Sequence, residues 1–146
     1  MFDYELCVFP MEFDAQRMPR IIEVKRDKEL IRLLAMKIEE ASEGMHSDSI
    51  KIDGYSRDQI SYHCRLMADA GYILAKSATS SHTSRFATSV IRLTNEGHDF
   101  LDAARNETLW KRAVEMVKSK GVEVTLSTFS QLLKKLAAES LGLPGT

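Results

Sequence analysis

Between Gly71 and Leu93 the chain carries Lys76, Arg85 and Arg92 and no acidic residue, with His82 and a run of Ser and Thr hydroxyls beside them. Guanidinium, ammonium and hydroxyl groups are the usual partners of phosphate oxygens, so this stretch has the make-up of a grip on a nucleic-acid backbone. The same composition also suits a solvated Ser/Thr loop with incidental charge. Just upstream, Arg57, Ser61, Tyr62 and Arg65 recur on the outer arc of a helical pattern, where they could reach base edges or phosphates. Asp58 and Asp69 share that arc and leave the segment neutral, as an ordinary amphipathic surface helix is.

The remaining polar clusters lack a partner for chemistry. His63 falls on the inner arc of its helix, His98 in the first turn of another, and His46 and His82 in loops. No two have the i, i+4 spacing of a helical zinc site, and there is no Cys-x-x-Cys, so core or capping roles are expected and no metal. Glu96, Asp99 and Asp102 crowd around His98, but no nucleophile or glycine-rich phosphate loop converges on them. A helix start stabilised by its dipole is the simpler reading, with no catalytic site and no cofactor. Cys7 and Cys64 are far apart in sequence, and free thiols are expected.

The whole chain limits what these residues can do. It has 146 residues, 20 basic against 21 acidic, and is 44% hydrophobic, which suits one globular domain with a real core. Near-neutral charge exerts no global pull on nucleic acid or an anionic membrane, so any electrostatic footprint is local. No apolar run approaches the roughly 18 residues needed to cross a bilayer, and the start Met1-Phe-Asp-Tyr-Glu lacks the pattern of a signal peptide. A cytoplasmic protein with no membrane partner is expected.

The elements that must position the basic residues are legible from periodicity and caps. A helix is expected from Asp27 to about Ser42, with Leu30, Ile31, Leu34, Ile38 and Ala41 inward, Glu29, Arg32, Glu39 and Glu40 outward, and Gly44 closing it. Ser49–Ile52 reads as a short strand. Ser56-Arg-Asp-Gln59 is a capping box that opens a helix running to Ala70 and stopped by Gly71. Its inner arc is Ile60, His63, Cys64, Leu66, Met67 and Ala70. Tyr72–Lys76 and Val90–Thr94 form a hairpin around a Ser/Thr-rich loop. Thr94 and Asn106 cap two further helices, the second ending at Gly121, and a last helix runs from Ser127 to Leu141.

The fold class expected is α+β, mainly helical with a small β-hairpin. A capped helix running straight into a hairpin is the arrangement of a winged helix-turn-helix domain, with a recognition helix followed by a wing. Its second helix is here reduced to the segment between Gly44 and Tyr55, and extra helices follow. Residues 1–24, punctuated by Pro10 and Pro19, form an N-terminal arm that packs on the body or on a partner chain. Residues 25–106 make the winged-helix core and 107–146 a C-terminal helical extension. Trp110 is either a core anchor or a hot spot between subunits. The face of Phe129, Leu132, Leu133 and Leu136 either supports a homodimer or closes a monomer core.

Lys25-Arg-Asp-Lys-Glu-Leu-Ile-Arg32, Gly54-Tyr-Ser, Ile60-Ser-Tyr-His63, Ala70-Gly71 and Arg92-Leu-Thr-Asn-Glu-Gly-His-Asp-Phe-Leu-Asp-Ala103, followed by Trp110, resemble domain-of-unknown-function family 2513. The resemblance covers about Val24 to Leu143. It implies a winged-helix-like protein of bacterial or prophage origin and no transferable activity. Asn95 departs from the tryptophan usual in that family, and the N-terminal arm is extra.

Two functions follow as expectations. The first is a winged-helix protein that binds double-stranded DNA, such as a phage-derived transcriptional regulator, through Arg57, Ser61, Tyr62, Arg65, Lys76, Arg85 and Arg92. The second is a non-catalytic adaptor of phage origin that engages a protein partner.

Overall fold

The computed structural model describes residues 25–41, 44–77 and 87–144. The expected N-terminal arm and Arg85 lie outside them. Among the described residues, five helices pack with a three-stranded antiparallel sheet: α1 (Lys28–Glu40), β1 (Met45–His46), a 3-10 turn (Ser47–Ser49), α2 (Arg57–Asp69), β2 (Ile73–Ser77), β3 (Thr88–Leu93), α3 (Asn95–Ala104), α4 (Glu107–Lys120) and α5 (Leu126–Ser140). The fold is α+β, and the sheet order is β1-β3-β2.

Local chemistry sets most of the helix starts. The Asp27 carboxylate accepts the backbone N–H groups of Glu29 and Leu30, and Thr94, Asn106 and Thr125 cap α3, α4 and α5 in the same way. At α2 the box is reciprocal: Ser56 Oγ accepts from Gln59, whose side chain accepts from Ser56. Gly121 ends α4 in the left-handed conformation at φ 66°.

One core runs from α1 to α5, joining Leu30, Ile31 and Leu34 to Ile60, Met67, Phe100, Phe129 and Leu133. Tyr72 stacks on Phe100 at 4.9 Å between ring centroids. Trp110 is 4% exposed and meets Phe129 edge-on at 5.1 Å, so it is a core anchor. Phe129, Leu133 and Leu136 are buried within this chain and Leu132 is half-buried, so this face contributes to the chain's own core.

Arg32 departs from its expected outward place. It is 7% exposed, and its Nε donates to Ala104 O at 2.7 Å, at the carbonyl end of α3. Nη1 donates to Glu29 Oε2 at 3.0 Å, and the guanidinium lies 5.3 Å from the Trp110 ring centre. Trp110 Nε1 donates to the other Glu29 oxygen at 2.9 Å. The α3–α4 junction supplies an acceptor and an aromatic face that the helical wheel of α1 alone does not contain.

The strand expected at Ser49–Ile52 lies elsewhere. Met45 and His46 pair with Val90 and Ser89, because Gly44 lets the backbone approach β3 so closely that a Cβ there would sit 2.8 Å from Val90 O. Ser47–Ser49 then winds into the 3-10 turn, with His46 Nδ1 accepting from the Asp48 N–H at 3.1 Å. This turn occupies the place of the reduced second helix. The α1 helix also stops earlier than expected, at Glu40, with Ala41 as its C-cap.

Candidate nucleic-acid interface

The position of α2 against the hairpin is held by a buried chain of hydrogen bonds. Ser61 Oγ donates to Asp48 Oδ1 at 3.0 Å, which leaves it to accept from Ser47 Oγ at 2.9 Å. Ser47 Oγ in turn accepts the backbone N–H of Thr88 at 2.9 Å. Helix, turn and returning strand are therefore fixed together through one file of polar atoms, its two serines buried and its Asp48 end half-buried.

This geometry corrects one candidate. Ser61 is 0% exposed and its hydroxyl is committed to the chain just described, so it cannot reach a base or phosphate. It sits on the wheel between Arg57 and Arg65, but the 3-10 turn covers that part of the helix. Leu66 and Ala70, expected inward, are half-buried and exposed respectively.

The remaining described candidates divide between the helix and the wing. Arg57 is exposed at the first position of α2. Tyr62 is half-buried, with its ring edge-on to His63 at 5.8 Å. Arg65 is half-buried and its Nη2 donates to Ser77 Oγ at 3.0 Å, so the helix and the end of β2 share a contact. Arg65, Asp69, Lys76, Ser77 and Thr88 line one cleft of about 190 Å³ between α2 and the hairpin. Lys76 is exposed and stands across from Ser89.

Arg92 lies further down the wing, across from Leu74, with Nη1 donating to Leu93 O at 3.0 Å. It does not line the α2–hairpin cleft. The register shifts between Leu74 and Ala75. Leu74 and Ile91 remain 46% and 42% exposed on the wing.

One basic residue escaped the sequence reading. Lys51 is exposed and lines a second cleft, of about 320 Å³, with Arg57 and Tyr55 at the start of α2. Ser49–Ile52 has the pattern of a short strand in the sequence, but Lys51 belongs to the loop that enters α2.

The carboxylate-rich turn around His98 resolves into surface pairing between helices. Glu96 accepts from Lys134 Nζ on α5 at 3.1 Å, and Arg105 reaches Glu39 on α1 at 2.7 Å. The Arg105 hydrogen bond holds the Glu39 carboxyl below its ordinary range. Cys64 is buried and its thiol is pushed up to about 12 by burial. Among the described residues no three His, Cys, Asp or Glu side chains group so as to hold a metal ion, and no helix is long and apolar enough to cross a membrane.

The family model described as hypothetical protein (DUF2513) matches residues 25–123. An uncharacterized protein of Haemophilus influenzae is 31% identical over 121 residues, covering 81% of this chain and 99% of the relative. No solved structure matches.

Proposed function

The chain belongs to the DUF2513 family, and from that premise we propose that it is a non-catalytic, cytoplasmic winged-helix protein that binds double-stranded DNA. The observation that carries the reading is the α2–hairpin cleft, where Arg65 from the helix and Lys76 from the wing face one space. A helix presented beside a basic wing lets the helix address the major groove while the wing holds phosphates. Arg57 and Lys51 add positive charge at the leading end of α2, and Arg92 extends the basic character of the wing. A role in transcription, in a protein of phage descent, is the regulatory form of the same proposal.

The first test is a gel shift with random-sequence duplex at low salt, using the wild type and an Arg65→Ala, Lys76→Ala double variant. Retarded duplex for the wild type and a clear loss for the variant support the reading. Equal mobility of the duplex with and without protein would sink it.

A second reading, an adaptor for a protein partner, rests on Leu74 and Ile91. Two exposed aliphatic side chains on a wing are a poor match for phosphates and a better one for an apolar partner surface. Replacing both with Ser would leave DNA binding intact under the first reading.

A further inference from the structure

Away from the α2–hairpin cleft, the leading ends of α1 and α2 and one flank of α4 enclose an open groove of about 990 Å³. Half-buried Val114 and Val117 give it an apolar floor beside the edge of Trp110. Its lining carries a slight excess of positive charge. Glu29 and Glu107 both face the Arg32 guanidinium, and Asp27 is used in capping α1 and in accepting the Tyr55 hydroxyl. In all, six Lys and Arg side chains line the groove against five Asp and Glu, and Lys25, Arg26, Lys28, Lys111 and Lys118 are the cations outside the Arg32 cluster.

The chain itself carries a complementary segment. Residues 1–16 contain Asp3, Glu5, Glu12 and Asp14 and no Lys or Arg, interleaved with Phe2, Tyr4, Phe9 and Phe13. That segment joins the body through Lys25, which lines the groove. At roughly 3.3 Å per extended residue, the ten or so residues between Asp14 and Lys25 reach any part of it. Tethering also makes the local concentration of the segment high without strong individual contacts.

We propose that this groove is the docking site for the acidic, aromatic segment 1–16 of the same chain, its carboxylates meeting the lysines of α4 and its apolar side chains resting on Val114 and Val117. The reading is independent of DNA binding, since the groove shares no residue with the α2–hairpin cleft.

A zero-length carbodiimide cross-linker applied to the full chain, followed by peptide mass mapping, tests it. It joins a carboxylate to an amine only where the two touch. The expected products are monomeric and link Asp3, Glu5, Glu12 or Asp14 to Lys111 or Lys118. High salt should shift Trp110 emission in the wild type, and a Lys111→Gln, Lys118→Gln variant should lose that shift. Both lysines are exposed, so the variant is expected to fold. Cross-links spread evenly over Lys51, Lys76 and Lys135 would overturn the proposal. So would cross-linked dimers, which would place the segment on a second copy, or a salt response identical in the two proteins.

Discussion

The backbone N–H of Asp27 donates to Nε2 of His63 across 2.8 Å, joining the start of α1 to the middle of α2. The other ring nitrogen, Nδ1, lies 2.7 Å from Gln59 O, which can only accept, so Nδ1 carries the proton. Two backbone groups thus specify a neutral imidazole in one tautomer. The Asp27 carboxylate, which caps α1, also accepts the Tyr55 hydroxyl at 3.2 Å. The leading ends of both helices meet at this junction.

Protonating His63 would turn an N–H against the Asp27 N–H. Burial holds the ring below the ordinary imidazole range, opposed by the Gln59 carbonyl and the Asp27 charge. The unfolded chain therefore takes up this proton at higher pH than the folded one. The His63 contribution is complete above about pH 6.5 and is lost as pH falls below that value. Urea midpoints measured at about pH 7.5 and about pH 5.5 should differ for the wild type, and less for His63→Gln. Equal differences in the two proteins would contradict the junction.

Ser61→Ala should cost about 1–2 kcal/mol, because the Ser47 hydroxyl loses its acceptor in a buried site. Chemical denaturation measures this. The variant's affinity for DNA should fall no further than its folded fraction does, which separates a structural serine from one that contacts bases.

Arg32→Met keeps much of the side-chain volume but leaves Ala104 O without its donor and Glu29 without its cation. The loss is about 2 kcal/mol, held down because the Glu29 side chain is 42% exposed to water. Arg32→Lys should recover only part of it, since an ammonium cannot reproduce the fork that spans both acceptors. Trp110 emission should shift in both variants, as Glu29 is its hydrogen-bond partner.

At Gly97, in the first turn of α3, an added Cβ would lie 2.0 Å from Tyr72 O. That carbonyl is fixed by the Thr94 N–H at 2.9 Å, so the obstruction is backbone and cannot rotate away. Gly97→Ala should destabilise by about 3 kcal/mol in urea titration. A cost below about 1 kcal/mol would show that α3 can slide on β2.

The helix caps and periodic faces are legible in the sequence because their partners lie within four residues. Asp27, Ser56, Thr94 and Asn106 all cap where expected. What was not legible depends on residues distant in sequence. The fates of Arg32 and Ser61 are decided by Ala104, Trp110, Ser47 and Asp48, and no helical wheel contains those partners. The first strand moved to Met45–His46 because of the close approach at Gly44, a contact made with Val90 O across the sheet. At the candidate interface, charge and residue type pointed to Arg65 and Lys76. Their meeting in one cleft required the hairpin to fold back beside α2.

The most direct test of DNA binding is fluorescence anisotropy of a labelled random-sequence duplex, titrated with the full chain across a series of salt concentrations. Binding that weakens linearly on a log–log plot, with a slope that shrinks by about one for each of Arg65→Ala and Lys76→Ala, is the predicted result. No binding at low salt, or an affinity indifferent to salt, would contradict it.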